Sequence, residues 1–313
     1  MTAVATRPRL GFVGAGWIGR SRLDAIERSG FAEVVGIADP AVWGALASVD
    51  ELLERELDGL VIATPSALHV GQAAAALARG LAVFCQKPLG LNAAETAQVV
   101  RVARDADVLL GVDLSYRHTE AARRVRELVF AGELGDVFAC DLTFHNAYGP
   151  DRPWFYDRDL AGGGCLIDLG IHLVDLALWT LDWPRVASVS SNLRGEPVEQ
   201  FAVAELELVT GAVVRIACSW NLHAGRDAVI EAHFHGTGGG AAIRNVDGSF
   251  FDLIAERYRG REREVLVAPP DDWFGRAAVD WASRLAAGER YDAEIERAVD
   301  VAAVLDDLYA SGR

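Results

Sequence analysis

Lysine is almost absent from this chain of 313 residues, since Lys87 is the only one and arginine supplies the other 29 cationic side chains. Only lysine has an amine whose pKa can be brought toward neutrality by burial. Lys87 follows the apolar run 81–85 and precedes a proline, which predicts a position at the carboxyl end of a buried strand. We therefore take Lys87 as a candidate functional residue, with a leftover surface lysine as the plainer alternative.

Positive charge and long apolar runs are also scarce. The formal net charge is −15, which argues against non-specific binding to nucleic acid. Residues 1–9 lack the apolar core of a signal peptide, and we count no run of roughly 18 apolar residues that would predict a membrane helix. We therefore expect a cytoplasmic protein with neither a nucleic-acid nor a membrane partner.

Cysteine is sparse and widely spaced. The four cysteines show no C-x-x-C spacing, which excludes the commonest zinc and redox motifs. We expect them to be reduced, buried thiols. They are Cys85, Cys140, Cys165 and Cys218.

A glycine motif with its full context opens the chain. The apolar run 10–13 predicts a strand, and the G-x-G-x-x-G sequence of residues 14–19 follows it directly. A helical pattern covers 20–29, and a second strand-like run, 32–38, ends at Asp39. A strand, this motif, a helix and an acidic residue about 20 positions later are together typical of a dinucleotide-binding unit.

Each glycine of this motif, and the aspartate that follows it, has a distinct structural role. Gly14 permits the tight turn, Gly16 lets the backbone approach a pyrophosphate, and Gly19 allows close packing of helix and strand. The helix N-terminus favours the anion. Asp39 would accept hydrogen bonds from the adenosine ribose, which favours NAD over NADP because a carboxylate repels a 2′-phosphate.

Strands continue to alternate with helices up to residue 115, which predicts a parallel sheet. Polar residues follow two of these strands, where an open parallel sheet has its ligand crevice. They are Thr64, Pro65, Gln86 and Lys87. The segment 40–49 is too short for a full crossover helix. We expect Trp43 to fill the space as a core residue, with a cover for the adenine as the alternative.

The pattern changes near residue 116. Short strand-like runs joined by glycine-bearing turns predict a largely antiparallel sheet, and the glycines at 236–240 are interpreted as a hairpin turn. The alternating arginines at 257–263 are interpreted as one solvated strand face. We predict an α/β protein with a parallel-sheet domain at 1–115 and an α+β domain at 116–313, whose sheet is open and whose last helix covers about 293–311.

A helix expected from Cys165 to about Leu181 is apolar nearly all round, which predicts burial. Asp168 and His172 lie on it at i and i+4, on one face. Burying both groups is costly unless they are paired or used. A structural pair is one alternative. A metal half-site is another, but the sequence holds no H-E-x-x-H pattern, and we expect no metal. We favour a catalytic pair.

These motifs resemble the glucose–fructose oxidoreductase, inositol dehydrogenase and rhizopine catabolism family, called Gfo/Idh/MocA. The residues that carry the resemblance are the fingerprint 14–19, Asp39, the 64–69 stretch, Lys87-Pro88, Tyr116-Arg117 and the glycines at 162–164 followed by Asp168 and His172. The resemblance implies a Rossmann domain, NAD with NADP as a possibility, and hydride transfer at a secondary alcohol or ketone carbon of a sugar or cyclitol. It also implies a homodimer or homotetramer built on the open sheet.

The resemblance assigns roles to particular residues. Lys87, Asp168 and His172 match the catalytic trio. The loop 146–158 leads to the predicted helix, and its aromatic rings and polar tips suit a polyol, although its tryptophan could merely anchor the loop. The expected cofactor-binding residues are Gly14, Gly16, Trp17, Ile18, Gly19, Asp39, Thr64, Pro65, His69, Gln86 and Lys87. The expected substrate-binding residues are Lys87, Tyr116, Tyr148, Trp154, Asp168 and His172.

Gln86 departs from the family pattern, which usually has glutamate there. A carboxylate beside Lys87 is thereby removed, so we hypothesise a lower pKa for Lys87 and an upward shift of the alkaline limb of the pH–rate profile in Gln86→Glu. Two other functions stay open. One is a reductase of a keto-sugar or another carbonyl or imine, and the other is a catalytically silent dinucleotide-binding regulator.

Overall fold

A computed structural model of the chain describes residues 7–42 and 44–312. The expectation for Trp43 lies outside the described residues. The described part forms a five-stranded and an eight-stranded sheet. The first sheet consists of β1 (Arg9–Val13), β2 (Glu33–Ala38), β3 (Gly59–Ile62), β4 (Ala82–Cys85) and β5 (Leu110–Val112). The second consists of β6 (Val137–Asn146), β7 (Val186–Arg194), β8 (Phe201–Leu208), β9 (Val213–Ser219), β10 (Ala228–Gly236), β11 (Gly240–Asn245), β12 (Leu253–Arg259) and β13 (Glu262–Val267).

The α-helices of the described residues follow the same chain order. They are α1 (Trp17–Ser29), α2 (Val49–Leu53), α3 (His69–Leu77), α4 (Ala93–Ala106), α5 (Glu120–Phe130), α6 (Arg158–Ala161), α7 (Ile171–Thr180), α8 (Arg276–Ala286) and α9 (Arg297–Ser311). Short 3-10 turns occur between them, and a π-helical segment, Leu166–Gly170, directly precedes α7.

The chain divides into two compact units. The first contains the residues up to Asp113 together with Phe274–Asp300, and the second contains Leu114–Trp273 together with the residues from Val301 onward. The sequence pattern predicts 274–300 in the second domain, whereas this segment packs with the first unit.

Packing explains why 274–300 belongs to the first unit. The Trp281 side chain of α8 is 3% exposed, and its ring lies 5.7 Å from that of Phe84 in β4. A Cβ atom at Gly59 or at Gly111 would come within about 3 Å of this indole. A large aromatic side chain therefore fills the space that two strand glycines leave.

The first sheet is parallel throughout, in the order β2-β1-β3-β4-β5. Its strands β3 and β4 are buried on both faces, as expected for a sheet covered by crossover helices. All five carboxyl ends therefore meet at one edge, which brings the glycine turn, Asp39, Thr64, Gln86 and Lys87 to that edge. The prediction that no full crossover helix follows β2 directly is confirmed, since the next helix, α2, has only five residues.

The second sheet has the order β13-β12-β11-β10-β6-β9-β8-β7 and is antiparallel except for the pair β6–β9. Helices α5 and α7 pack on one face. Burial alternates along β8, as it does in a strand with one face in the core and one face toward solvent. The predicted fold class, a Rossmann-type parallel sheet and an open, largely antiparallel sheet, is confirmed.

Two local expectations have different outcomes. The glycines at 236–240 join the antiparallel strands β10 and β11, as predicted. The arginines at 257–263 do not lie on one strand, because the chain turns at Gly260 and β12 pairs with β13 as a hairpin. Gly260 has a positive φ of 57°, which permits this tight reversal. The arginines alternate on both sides of the turn, so their pattern alone does not show where the strand ends.

The segment Arg158–Thr180 is apolar and long enough to cross a membrane by length and composition alone. Within the second unit, 83% of its most apolar window is buried. Burial in the protein core accounts for its composition.

Candidate functional site

The glycine turn after β1 is shaped for close approach of an anion. Gly14 has a φ of 85°, and a Cβ atom there would lie 2.4 Å from the carbonyl oxygen of Ala63. Gly16 is the N-cap of α1, no side chain caps this helix, and no atom lies within 4 Å of where a Cβ would be. The first N–H groups of a helix of 13 residues therefore lack a side-chain cap, and the backbone beside them at Gly16 is open to a ligand.

Asp39 fastens this turn to the end of β2. Its Oδ2 accepts a hydrogen bond of 2.7 Å from the Ala15 N–H, and its Oδ1 accepts one of 2.9 Å from the Ala41 N–H. Each carboxylate oxygen has a second lone pair, which is free to accept a ribose hydroxyl. The uncapped helix and this carboxylate together fit a dinucleotide with an unmodified adenosine ribose.

Three further cofactor candidates lie on α1. Trp17 is 66% exposed, and its ring lies 5.0 Å from that of Phe274 at a tilt of 35°. Gly19 packs against the turn itself, because a Cβ there would lie 2.2 Å from the carbonyl oxygen of Gly14. Ile18 lies in the first turn of the same helix.

His69 joins the two loops that carry Thr64-Pro65 and Lys87-Pro88. Its ring is 1% exposed, with Nδ1 2.7 Å from the Pro88 carbonyl oxygen and Nε2 2.9 Å from that of Thr64. Burial lowers the pKa of His69, the two carbonyls oppose this, and the Lys87 charge adds to the lowering. The Thr64 hydroxyl lies 2.7 Å from Oε1 of Gln72, to which it donates.

Lys87 and Gln86 are both half-buried at the end of β4. The Gln86 carboxamide donates to the carboxylate of Asp113, which follows β5. Arg22 of α1 donates to the same oxygen at 2.6 Å. Sequence reasoning missed Arg22 and Asp113. Two sequence features could have identified them. Arg22 lies on the buried face of α1, where a charged residue is unusual, and Asp113 directly follows a strand, as Gln86 does.

The second unit positions Asp168 and His172 on one continuous helical segment. Asp168 lies in the π-helical turn and His172 in α7, and such π-turns often occur at functional sites. The Trp220 indole N–H donates to Asp168 Oδ2 at 3.1 Å. The Tyr116 ring lies 5.0 Å from the His172 ring, edge to face. Burial, and then the Asp168 charge, raise the pKa of Tyr116 well above its ordinary value.

A buried ion pair lies one turn further along this helix. Arg117 donates to Asp175 through Nε at 2.8 Å, and Asp175 is 1% exposed. Burial raises the pKa of Asp175, and Arg117 opposes that increase. The pair fixes the segment that carries Tyr116 to the helix that carries His172.

A buried carboxylate holds the start of the helix. Glu199 Oε1 accepts hydrogen bonds from the backbone N–H groups of Gly164 and Leu166 and from the Tyr309 hydroxyl, at 2.8, 3.1 and 2.7 Å. The Ile167 N–H donates in turn to the Tyr309 hydroxyl at 3.2 Å. Sequence reasoning missed both Glu199 and Tyr309, since neither lies in a recognisable motif.

The loop before the helix is packed mainly by aromatic contacts. Trp154 stacks on Phe155 at 3.8 Å, and the rings of Phe155 and Tyr156 contact Trp220, which holds Asp168. Tyr148 is 53% exposed, and its ring lies 6.1 Å from that of Phe250. The geometry thus favours anchoring for the rings at 154–156. Sequence reasoning missed Trp220 as a site residue, because in the sequence it looks like the last apolar residue of a strand.

Two family models match most of the chain. The NAD-binding Rossmann fold of the oxidoreductase family matches residues 8–114, and the GFO/IDH/MocA C-terminal domain matches residues 122–242. A putative UDP-kanosamine synthase oxidoreductase subunit of Amycolatopsis mediterranei is 30% identical over 97% of this chain and 95% of its own length. The chain belongs to the Gfo/Idh/MocA oxidoreductase family. It is therefore an oxidoreductase with the family's NAD-binding domain.

Other members extend this comparison. GenD2 from gentamicin A biosynthesis, solved in complex with NAD, has a TM-score of 0.83 and 25% identity, covering 98% of this chain and 94% of its own. Inositol 2-dehydrogenase of Rhizobium meliloti is 27% identical over 76% of both chains. The family relationship predicted from the motifs is confirmed, and its members include sugar dehydrogenases and reductases.

Proposed function

We propose that the chain transfers hydride between a nicotinamide dinucleotide and a secondary alcohol or ketone carbon of a sugar or cyclitol. The observation that carries the proposal is the Asp168–His172 segment, which combines a carboxylate held by an indole with an imidazole beside the half-buried ring of Tyr116. The name of the Amycolatopsis relative makes nucleotide-linked hexoses the first substrates to test, and inositols come second.

The proposed roles follow the chemistry of each side chain. A bound nicotinamide supplies or accepts the hydride. His172 takes the hydroxyl proton in oxidation and returns it in reduction, because imidazole ordinarily titrates near neutral pH. The charged amine of Lys87 stabilises the developing alkoxide. Asp168, oriented by Trp220, accepts a hydrogen bond from a substrate hydroxyl. The same side chains serve both directions, so a keto-sugar reductase needs no different residues.

The proposal includes NAD as the preferred cofactor. The turn 14–19 would hold the pyrophosphate, and Asp39 would hold the adenosine ribose. Both Asp39 oxygens are fixed by backbone N–H groups, so the carboxylate cannot easily turn away from a 2′-phosphate. We expect NAD to support turnover at least about tenfold better than NADP, the ratio given by one unfavourable charge contact of about 1.4 kcal/mol.

The proposed assembly is a homodimer or homotetramer formed through the open face of the second sheet. Val203 on that face is 37% exposed, and the ion pair between Asp141 and Arg215 lies on the adjoining strands. We expect Val203→Arg to lower the mass measured by light scattering to that of the monomer, with Val209→Arg, outside the strands, as the control.

We also propose a cytoplasmic location, because all four cysteines are free and buried.

The experiment that tests the function measures cofactor reduction or oxidation at the nicotinamide absorbance. The panel holds nucleotide-linked hexoses, free aldoses, inositols and their keto forms, with NAD and NADP in parallel. We expect turnover in one class and a loss of about 100- to 1000-fold in kcat for Lys87→Met, as for other transition-state charge stabilisers. Lys87→Arg, which keeps the charge, should retain more activity. Tight NADH binding without any turnover would favour the silent regulator.

A further inference from the structure

A buried ion pair fixes the side chain that precedes Lys87. Arg22 and Asp113 are each 1% exposed, and Arg22 Nε lies 2.6 Å from Asp113 Oδ2. Gln86 Nε2 donates to that same oxygen. The Phe274 ring covers the guanidinium, whose Cζ lies 4.2 Å from the ring centre. One carboxylate oxygen thus joins α1 to the ends of β4 and β5.

This contact decides which way the Gln86 carboxamide points. A carboxylate paired with arginine has acceptors only, so it can bind the amide nitrogen and not the amide oxygen. The two ends of a carboxamide have nearly the same shape, and without such a partner either end would face outward. Asp113 therefore selects the orientation in which Oε1 points away from the buried pair and is offered as an acceptor.

The strand order shows which half of a dinucleotide this acceptor would meet. Asp39 follows β2 and suits the adenosine ribose, and the glycine turn after β1 suits the pyrophosphate. β4 lies on the other side of β1 from β2. The nicotinamide half would therefore extend past the ends of β3 and β4, where Gln86 lies.

We propose that Asp113 is a positioning residue for the nicotinamide half of the cofactor. Asp113 is held by Arg22 and orients Gln86 so that Oε1 accepts a hydrogen bond from a hydroxyl of the bound dinucleotide. This inference rests on the proposed function only in requiring that the chain binds the dinucleotide. The family's usual glutamate at position 86 would place two carboxylates within hydrogen-bond distance. The acid at 113 therefore requires the amide at 86.

The test is a double-mutant cycle of Gln86→Glu, Asp113→Asn and both together, read as the Kd of NADH in titration calorimetry. Gln86→Glu should weaken NADH binding by about tenfold or more, because two carboxylates then oppose each other. Asp113→Asn should weaken it about tenfold, because Arg22 loses its partner and the carboxamide is free to turn. The double variant should return to within about threefold of the wild type, since it again pairs one acid with one amide.

ADP, which lacks the nicotinamide half, is the matched control ligand. Its Kd should change by less than about twofold in all three variants, the usual limit for sites without shared partners. Rescue of the unfolding temperature in the double variant without rescue of NADH binding would show a purely structural role and overturn the proposal. Purely additive losses of NADH affinity would overturn it too.

Gln86→Met covers the case in which the charged variants fail to fold, because it removes the acceptor without adding a charge. It should weaken NADH binding about fivefold, the value of one neutral hydrogen bond, and leave ADP binding unchanged. Unchanged NADH affinity in this variant would refute the role of Oε1. Binding is measured without substrate, so a failure of the substrate panel leaves this result standing and separates the two proposals.

Discussion

At the scale of single residues, two glycines of one motif serve different purposes. Gly14 is required by the fold, because its φ of 85° and the Ala63 carbonyl at 2.4 Å exclude a Cβ atom. Gly16 has a φ of −65° and no neighbour within 4 Å of a Cβ. Alanine suits that backbone, so the fold alone does not explain this glycine.

We therefore expect Gly16→Ala to keep the unfolding temperature of the wild type and to weaken NADH binding by about tenfold or more, because its methyl group would occupy the approach of the pyrophosphate. Gly14→Ala is the matched control, and it should lower the stability by about 1–3 kcal/mol or more through backbone strain. Calorimetry and thermal unfolding measure both effects. Wild-type NADH affinity in Gly16→Ala would contradict the pyrophosphate assignment.

At the scale of elements, the helix with Asp168 and His172 is held at its N-terminal end. Glu199 is 3% exposed, and its Oε1 receives three hydrogen bonds, one of them from Tyr309 of α9. Burial and the Glu199 charge raise the pKa of Tyr309 far above its ordinary value, so the hydroxyl stays a donor. A negative charge at a helix N-terminus is favourable, and here it also replaces the missing side-chain cap.

Removing this anchor should cost more than removing an ordinary cap. Glu199→Ala leaves buried backbone N–H groups without acceptors, and we expect a loss of about 2–4 kcal/mol in unfolding free energy. Tyr309→Phe should cost about 1 kcal/mol. The exposed Tyr148→Phe, measured in the same denaturant titrations, should have no effect on stability. Wild-type stability in Glu199→Ala would show that the anchor is unimportant.

At the scale of the whole molecule, buried titrating groups set the response to pH. Burial lowers the pKa values of His69 and His145 below the ordinary value of 6.5. The unfolded chain therefore binds more protons than the folded chain below that pH, and the free energy of unfolding falls on acidification. Burial alone would raise the pKa of Glu256, but hydrogen bonds led by that from Arg244 outweigh burial and lower it to about 2.

We expect the free energy of unfolding to fall as the pH drops below 6.5, at up to about 1.4 kcal/mol per pH unit for each histidine. A second loss should begin near pH 4.5 and continue toward pH 2, as Glu256 is protonated. Urea titrations at 0.5 M salt, which screens the net charge of −15, measure both losses. His69→Gln should reduce the first loss, leaving the part due to His145, and Glu256→Gln should remove the second. Stability that rises between pH 7 and 5 would contradict the first assignment.

Local motifs predicted well where the candidate site residues lie in the fold. The fingerprint, Asp39, and the polar residues after β3 and β4 all follow strands of a parallel sheet, as their spacing required. The helix with Asp168 and His172 was predicted from its apolar surroundings, but its π-turn was not, because no residue pattern distinguishes one additional residue in a helical turn.

The sequence by itself determined the alternation of strands and helices, the nucleotide fingerprint and the Asp168–His172 pair on one helical segment, because those depend on residues near one another in the chain. Only the tertiary structure decided that Trp281 fills the first core, that Tyr309 anchors the helix start, and that Asp113 meets Gln86 and Arg22. These contacts join residues 27 to 222 positions apart in the printed numbering, such as Gln86 with Asp113 and Gly59 with Trp281. Close packing and the pairing of buried charges select such partners in space, and no local pattern records them.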